Sequence, residues 1–277
     1  MMLRLSFLRG LLNGESTPRL RRLLREWRQR GIAVHQTRLA DLFTLAHERV
    51  LATGGNPYTI ATAYVALLEA ELPDELLYVR PEAWCRDVFA DYGMVMRSRI
   101  RLVEIKGARD TFARLRQQLA GYLVAGSDVD VVVDRVHAER ALRDVPSSVG
   151  LVVVDRDVAQ RVRPAPSAEA FWSLWGLYTH IAWHSASCTH VEAEVHRLSV
   201  ERGLVPRDAP PTTDMPLRLM HDVLVPHMGT RASERPLAAL RTEFPGALHP
   251  LLLGLRASRR EAEKVLRRLR CPATAVA

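Results

Sequence analysis

Apolar positions recur every three to four residues along three N-terminal segments, which predicts amphipathic helices. The first segment begins at Pro18 and ends before Gly31, and the others span roughly 37–51 and 57–71. Proline is favoured in the first helical turn and glycine just beyond the last. We therefore predict a helical N-terminal region over residues 1–72.

From residue 76 the pattern changes to short runs rich in β-branched residues, which read LLYVR, DVFADYGMVM, RIRLVEIK, DVDVVVD and VGLVVVD. The last two are apolar on both faces, as expected of interior strands that are covered by helices. Helical patterns lie between the runs, at 110–125 and about 137–142. This alternation predicts an α/β core over residues 73–163.

Helical spacing returns in residues 164–277 and ends in the basic segment SRREAEKVLRRLR. His180, His184 and Cys188, followed by Glu192, are spaced by four and share one face of a predicted helix. Nitrogen and sulfur ligands at that spacing suit zinc. The tryptophan-rich surroundings favour a packed aromatic interface instead, and whether these residues bind a metal is left open.

Charge and cysteine content narrow the setting of the protein. The chain has 277 residues, a formal net charge of +8 and a pI near 10.0, a balance that favours polyanions as partners. Arginine so outnumbers lysine that a compositional bias explains the charge equally well. The three cysteines have no C-x-x-C spacing, and no apolar run approaches the ~18 to 20 residues of a membrane span. We expect a cytoplasmic protein with no membrane contact.

A tight reversal centred on Arg97 and Ser98 would pair the strands before and after it antiparallel. A longer loop about the same centre is equally possible and would preserve the register. In that register Asp91 faces Glu104, so two carboxylates lie side by side, within reach of one shared ion. Side chains two residues apart on a strand point to the same face. The pattern therefore predicts a single sheet face that carries Asp91, Glu104 and Lys106.

Two adjacent carboxylates repel each other, and a hard divalent cation with oxygen ligands relieves that repulsion. We predict Mg²⁺, with Mn²⁺ as the alternative. Such an ion activates water and neutralises charge on a phosphate under attack. The ammonium of Lys106 would orient the attacking water or stabilise the developing charge. Its presence is notable because only two of the 39 basic residues of the chain are lysines.

The helix predicted after these strands adds two polar groups. Gln118 and Tyr122 lie one turn apart at the edge of its apolar stripe, and Asp110 or Thr111 is predicted to cap its start. The stripe that packs on the sheet consists of Phe112, Leu115, Leu119 and Leu123. We therefore expect this helix to cover the carboxylates.

Together these motifs resemble the PD-(D/E)xK nuclease superfamily, in its RecB-type branch, and a widespread uncharacterised bacterial family with the same core. The matching pieces are Ala90-Asp91, Glu104-Ile105-Lys106, Asp110-Thr111, and Arg114-Leu115 followed by Gln118 and Tyr122. The resemblance extends from Leu77 to Asp155. It departs from the family at Ala90, where a proline gives the superfamily its name, and at the bulky Tyr92.

The resemblance implies a restriction-endonuclease-like mixed β-sheet flanked by helices, with helical extensions at both ends. It implies that magnesium binds Asp91, Glu104 and the carbonyl of Ile105. An upstream acid among Glu69, Glu71 and Glu75 would complete the site, and Glu71 is the preferred residue. The implied reaction is hydrolysis of phosphodiester bonds, with Asp91, Glu104, Lys106, Gln118 and Tyr122 as the catalytic set. DNA is the preferred substrate in this interpretation, and the sequence leaves the choice between DNA and RNA open.

Two alternatives stay open. A catalytically inactive nuclease-fold module would bind nucleic acid or a protein partner, and a helical adaptor would use its α/β centre only as a scaffold. The sequence also leaves open the oligomeric state and any protein partner.

Overall fold

A computed structural model describes residues 18–52, 56–85, 88–97, 99–123, 128–166, 188–208, 248 and 259–273. Within these ranges the chain forms helices and one six-stranded sheet. The helices are α1 (Pro18–Gln29), α2 (Leu39–Ala52), α3 (Pro57–Glu71), α4 (Leu115–Tyr122), α5 (Ala138–Asp144), α6 (Cys188–Glu201) and α7 (Arg259–Arg270), with a 3₁₀ turn at Arg135–His137. The strands are β1 (Leu76–Cys85), β2 (Val88–Met96), β3 (Ile100–Lys106), β4 (Asp128–Asp134), β5 (Gly150–Asp155) and β6 (Val158–Arg163).

The strands lie in sequence order across the sheet, and their directions are mixed. β1, β2 and β3 pair antiparallel, β3, β4 and β5 pair parallel, and β6 returns antiparallel to β5. The two parallel pairs require crossover connections, which α4 and α5 provide. The structure thus confirms the predicted α/β class, with a mixed sheet flanked by helices and a helical N-terminal segment.

Each face of the sheet has its own apolar core, because side chains alternate along the central strands. Val103, Ile105 and Val132 pack beneath α3. Leu102, Val131 and Leu151 pack on the opposite side against Phe112, α4 and α5. β3 is buried along its whole length. Residues 100, 102, 104 and 106 of β3 therefore face α4, whereas 101, 103 and 105 face α3.

Helix starts depend on local polar contacts, and the predicted cap of α4 at Asp110 or Thr111 is wrong. Asn56 caps α3 by accepting a hydrogen bond from the backbone N–H of Tyr58 at 2.8 Å. Asp110 does not cap α4, which begins only at Leu115. Its carboxylate instead accepts the N–H of Gly107 at 2.7 Å, which closes the turn that follows β3.

The edge strand β6 was not predicted from the sequence. Its residues alternate between exposed and half-buried positions, so it has no continuous apolar run. The period-two alternation of VAQRVR is nevertheless the signal of a half-buried edge strand. The preceding turn has Arg156 at a φ of 58°.

α7 packs on α2, so helices from the two ends of the chain form one helical unit, although more than 200 residues separate them along the chain. Arg38 and Pro272 form an isolated antiparallel bridge. The N–H of Leu39 donates to the carbonyl of Cys271 at 3.0 Å, and the N–H of Ala273 donates to that of Thr37 at 3.0 Å. α3, which lies before the predicted boundary at residue 72, packs directly on the sheet.

Among the described helices, none is long and apolar enough to cross a membrane.

Candidate functional site

The hairpin between β2 and β3 has the predicted register. The N–H of Met96 donates to the carbonyl of Arg99 at 2.9 Å, and Tyr92 pairs with Val103. The next pair in the same register is Asp91 with Glu104. Asp91 reaches across to its neighbour strand, because its Oδ2 accepts the N–H of Ile105 at 2.7 Å.

Glu104 and Lys106 are buried beneath α4 and bonded to each other. The Nζ of Lys106 donates to Glu104 Oε1 at 2.7 Å and to Gln118 Oε1 at 3.3 Å. Only 10% of the Lys106 side chain and 2% of that of Glu104 are exposed. The helix therefore covers the strand carboxylate as expected, and Gln118 holds the far side of the ammonium group.

Tyr122 secures the other oxygen of Glu104. Its hydroxyl lies 2.6 Å from Glu104 Oε2 and 2.6 Å from the carbonyl oxygen of Phe89. A phenol has one proton, so it can donate to only one of these acceptors at a time. Burial, followed by the charge of Glu104, raises the pKa of Tyr122, which therefore remains a donor. The Lys106 ammonium group thus holds one oxygen of Glu104, and the Tyr122 phenol holds the other.

Asp91 occupies the solvent-exposed side of this cluster. Desolvation by the atoms packed around its carboxylate, together with the negative charge of Glu104, raises the pKa of Asp91 to about 6. The Ile105 N–H and the charge of Lys106 oppose that shift. Burial is thus the larger cause of the raised pKa, and the negative charge of Glu104 adds to it.

Two groups that the sequence prediction left out of the site hold the turn after β3: Asp110 in the turn itself and His137 in the 3₁₀ turn after β4. Asp110 also raises the pKa of Asp91 through its charge, in addition to holding the Gly107 N–H. His137 Nε2 lies 3.1 Å from the carbonyl oxygen of Gly107 and so donates to it. Side chains therefore hold both the N–H and the carbonyl group of Gly107. An aspartate three residues after a glycine signals such a turn, whereas nothing local marks His137.

Glu71 does not join the cluster, which corrects the predicted fourth metal ligand. It lies at the end of α3, where Arg161 donates to both of its oxygens at 2.9 Å. Arg161 also contacts Asp130 at 3.1 Å, and Asp130 accepts a hydrogen bond from the hydroxyl of Tyr64. These residues belong to the α3 side of the sheet, opposite Glu104. Side chains alternate along β4, and Asp130 therefore lies on that side of the sheet. Glu71 thus contributes a negative charge to the ion network that Arg161 forms there.

The residues present fit a hard cation held by two carboxylates. Asp91 and Glu104 supply oxygen donors, and an ion between them would relieve the repulsion that raises the pKa of Asp91. Magnesium usually retains water and takes only one or two protein carboxylates. Among the described residues, no group of three or more His, Cys, Asp and Glu side chains is arranged to hold a metal. The described residues therefore do not form a site in which protein side chains alone would surround a metal ion.

The alternative zinc site lies outside the described residues at His180 and His184. Cys188 begins α6, but its side chain is not among those described. The described residues therefore do not test the hypothesis of a zinc site.

Comparison with known proteins gives a partial likeness. A family model described as bacteriophage P4 protein cII matches residues 85–171, which is less than half of the chain but includes the whole cluster from Asp91 to Tyr122. A solved structure of a protein of unknown function from Silicibacter pomeroyi is 21% identical, covering 56% of this chain and 96% of its own, with a TM-score of 0.36. The comparison with curated proteins gives no match.

Proposed function

We propose that this protein is a metal-dependent nuclease that hydrolyses phosphodiester bonds, with DNA as the favoured substrate. One observation carries the proposal. A carboxylate, an ammonium group, an amide and a phenol, from Glu104, Lys106, Gln118 and Tyr122, form one continuous hydrogen-bonded cluster beside a second carboxylate on Asp91. A sheet built only for stability has no need to place two carboxylates together. The resemblance to PD-(D/E)xK nucleases supports the same assignment.

The residues have distinct roles in this proposal. When bound, Mg²⁺ or Mn²⁺ would supply charge neutralisation and an activated water at Asp91 and Glu104. The carbonyl of Ile105 is a further expected ligand. Lys106 presents a positive charge to the attacking water and to the phosphate as negative charge develops there. Gln118 fixes the position of that ammonium group, and Tyr122 fixes the carboxylate of Glu104.

A second candidate is a nuclease-fold module that binds nucleic acid or a protein without cleavage. The observation in its favour is the 2.7 Å ion pair between Lys106 and Glu104, since each buried charge is neutralised by the other. A buried pair of this kind satisfies structural needs without a metal. The two candidates differ in what they predict for catalysis.

Cleavage assays separate them. We expect purified protein to cut plasmid, linear or single-stranded DNA with Mg²⁺ or Mn²⁺ and to be inactive in EDTA. A Glu104→Gln variant should lose cleavage while remaining folded, and RNA in a parallel assay tests the substrate preference. Binding of DNA without cleavage under every metal condition would support the inactive module, and neither binding nor cleavage would reject both candidates.

A further inference from the structure

The net charge of the chain is concentrated in α1 and α7, the first and the last of the described helices. Helix α1 contains five arginines and one glutamate, which gives +4. Helix α7 contains five arginines, one lysine and two glutamates, which also gives +4. Together they account for the formal +8 of the entire chain. Acidic and basic residues balance over the rest, including the sheet that carries the candidate active site.

Most of the described basic side chains of both helices are exposed, while their described leucine, tryptophan and valine side chains are buried. Leu24 and Trp27 are 3% exposed in α1, and Val265 is 1% exposed in α7. The exposed basic residues include Arg25, Arg28, Arg260, Lys264 and Arg267. A groove of about 440 Å³ is lined by Arg21, Leu24, Arg25 and Arg28. The helical unit thus presents guanidinium groups around a concave surface.

Two ordinary explanations cover only part of this charge. Basic residues in a last helical turn compensate the helix dipole, which accounts for Arg28 and Arg267. Ion pairs within a helix account for Arg22, whose Nε lies 3.6 Å from Glu26. Neither explains the excess in the earlier turns, where Arg25, Arg260 and Lys264 lie.

We infer that α1 and α7 together form a binding surface for the phosphate backbone of nucleic acid, separate from the candidate active site. Arginine suits this partner because its planar group pairs with phosphate oxygens. An anionic membrane would be the other polyanion. A helix that lies on a bilayer must insert its apolar face into the lipid. Here the apolar faces of α1 and α7 are already buried, so nucleic acid is the favoured partner.

This surface would act independently of cleavage, but it would give the proposed nuclease a means of holding its substrate. Positive and negative charges nearly balance in the sheet, so it offers little net positive charge to the nucleic-acid backbone. Non-specific affinity for nucleic acid comes mainly from phosphate contacts. Contacts on the helical unit would provide that affinity. The bridge between residues 38 and 272 ties the end of α7 to the start of α2, and α1 precedes that point by nine residues.

Matched charge-removal variants test the surface. The double variants Arg25→Gln with Arg28→Gln and Lys264→Gln with Arg267→Gln remove two charges each, and glutamine retains helix propensity. Arg156→Gln with Arg207→Gln removes two exposed charges elsewhere and is the control. Binding to a short DNA duplex is measured in EDTA, over about 50 to 200 mM salt. Each helix variant should flatten the slope of log K against log salt by about 0.9 for each phosphate that the variant no longer neutralises.

The expected affinity loss at fixed salt is on the order of tenfold for each helix variant and much less for the control. Equal effects of all three variants would overturn the inference in favour of diffuse charge. Equal or tighter binding to phosphatidylserine vesicles, lost in the same variants, would overturn it in favour of a membrane. Because these measurements exclude metal, a failure of cleavage does not affect them. Intact cleavage with unchanged binding in the helix variants would reject this inference alone.

Discussion

At the residue scale, Lys106 separates catalysis from binding. It is held between Glu104 and Gln118, so its charge is positioned before any substrate arrives. Loss of one preorganised electrostatic group commonly costs on the order of 100-fold in rate. We expect Lys106→Ala to lose at least that much cleavage, while DNA binding in Ca²⁺ falls far less. Lys106→Arg should also be impaired, because a planar guanidinium does not fit the position of a compact ammonium.

The measurement pairs cleavage rates with binding constants for the same preparations, and thermal melting checks that each variant is folded. Arg207→Gln is the matched loss of one exposed positive charge. Unchanged cleavage by Lys106→Ala would exclude the catalytic role. Equal losses of binding and cleavage would favour the non-cleaving module.

Asp91 gives a prediction about pH. Its folded-state pKa, raised to about 6, exceeds the ordinary carboxyl value of 3.8, so the folded protein holds this proton more tightly than the unfolded chain. Protonation of Asp91 therefore stabilises the folded state at low pH. This contribution to the free energy of unfolding is lost as pH rises from about 4 through 6. Asp91→Asn removes the effect. Without metal, the variant should gain in melting temperature relative to the native protein as pH rises through that window.

The activity of the native protein should show the opposite trend, because ionised Asp91 is the form that holds a cation. Cleavage should rise as pH passes 6, and added Mg²⁺ should move that rise to lower pH. A melting difference between the native protein and Asp91→Asn that stays constant from pH 4 to 7 would contradict the raised pKa.

At the element scale, the approach of α4 to the first hairpin depends on Gly121. A Cβ built at that residue would lie 2.4 Å from Val88 Cγ2. Alanine ordinarily favours a helix over glycine by about 1 kcal/mol. We nevertheless expect Gly121→Ala to destabilise the fold by about 1–3 kcal/mol, because valine is stiff and the contact overpacks the core. Denaturant unfolding measures the difference.

Two companion variants make that prediction specific. Val88→Ala should rescue Gly121→Ala, since it removes the atom that clashes. The exposed neighbour Ala120 provides the control, because Ala120→Gly should lower stability only by its helix propensity. A Gly121→Ala protein as stable as the native one would show that α4 packs less closely.

The ion network under α3 predicts that Glu71 is structural. Arg161 connects Glu71 to Asp130, which is fully buried. Arg161→Met should lower stability by up to about 3 kcal/mol, the low end for a broken buried ion pair, because Tyr64 and Arg101 still contact Asp130. Glu71→Gln should leave the metal dependence of cleavage unchanged. A strongly weakened response to Mg²⁺ in Glu71→Gln would restore Glu71 as a ligand.

At the scale of the whole molecule, the bridge that joins the two ends of the chain should contribute to stability. Ending the chain after Arg270 removes two backbone hydrogen bonds and the buried Ala273. At about 0.5–1.5 kcal/mol for each hydrogen bond, we expect a loss of roughly 1–3 kcal/mol. Limited proteolysis should then cut α1 and α2 faster. A chain that ends at Ala273 keeps both hydrogen bonds and the buried alanine, and is the control.

Much of the local structure follows from the sequence alone. The apolar run of DVDVVVD specifies a buried strand, Asn56-Pro57 specifies the start of α3, and Gly31, with a φ of 78°, specifies the end of the first helical region. The pairing of Asp91 with Glu104 was also predictable, because a short hairpin fixes its register by counting from the turn. These features depend on residues that are neighbours along the chain.

Tertiary structure decided what depends on contacts between distant residues. Glu71 and Asp130 lie on the opposite side of the sheet from Glu104 because packing assigns each face, and no local pattern distinguishes Glu71 from Glu69 or Glu75. His137 holds Gly107 from 30 residues away. The meeting of α2 and α7 requires the whole fold to bring both ends of the chain together. Hydrophobic periodicity specifies that a helix has a buried face, but only packing specifies its partner.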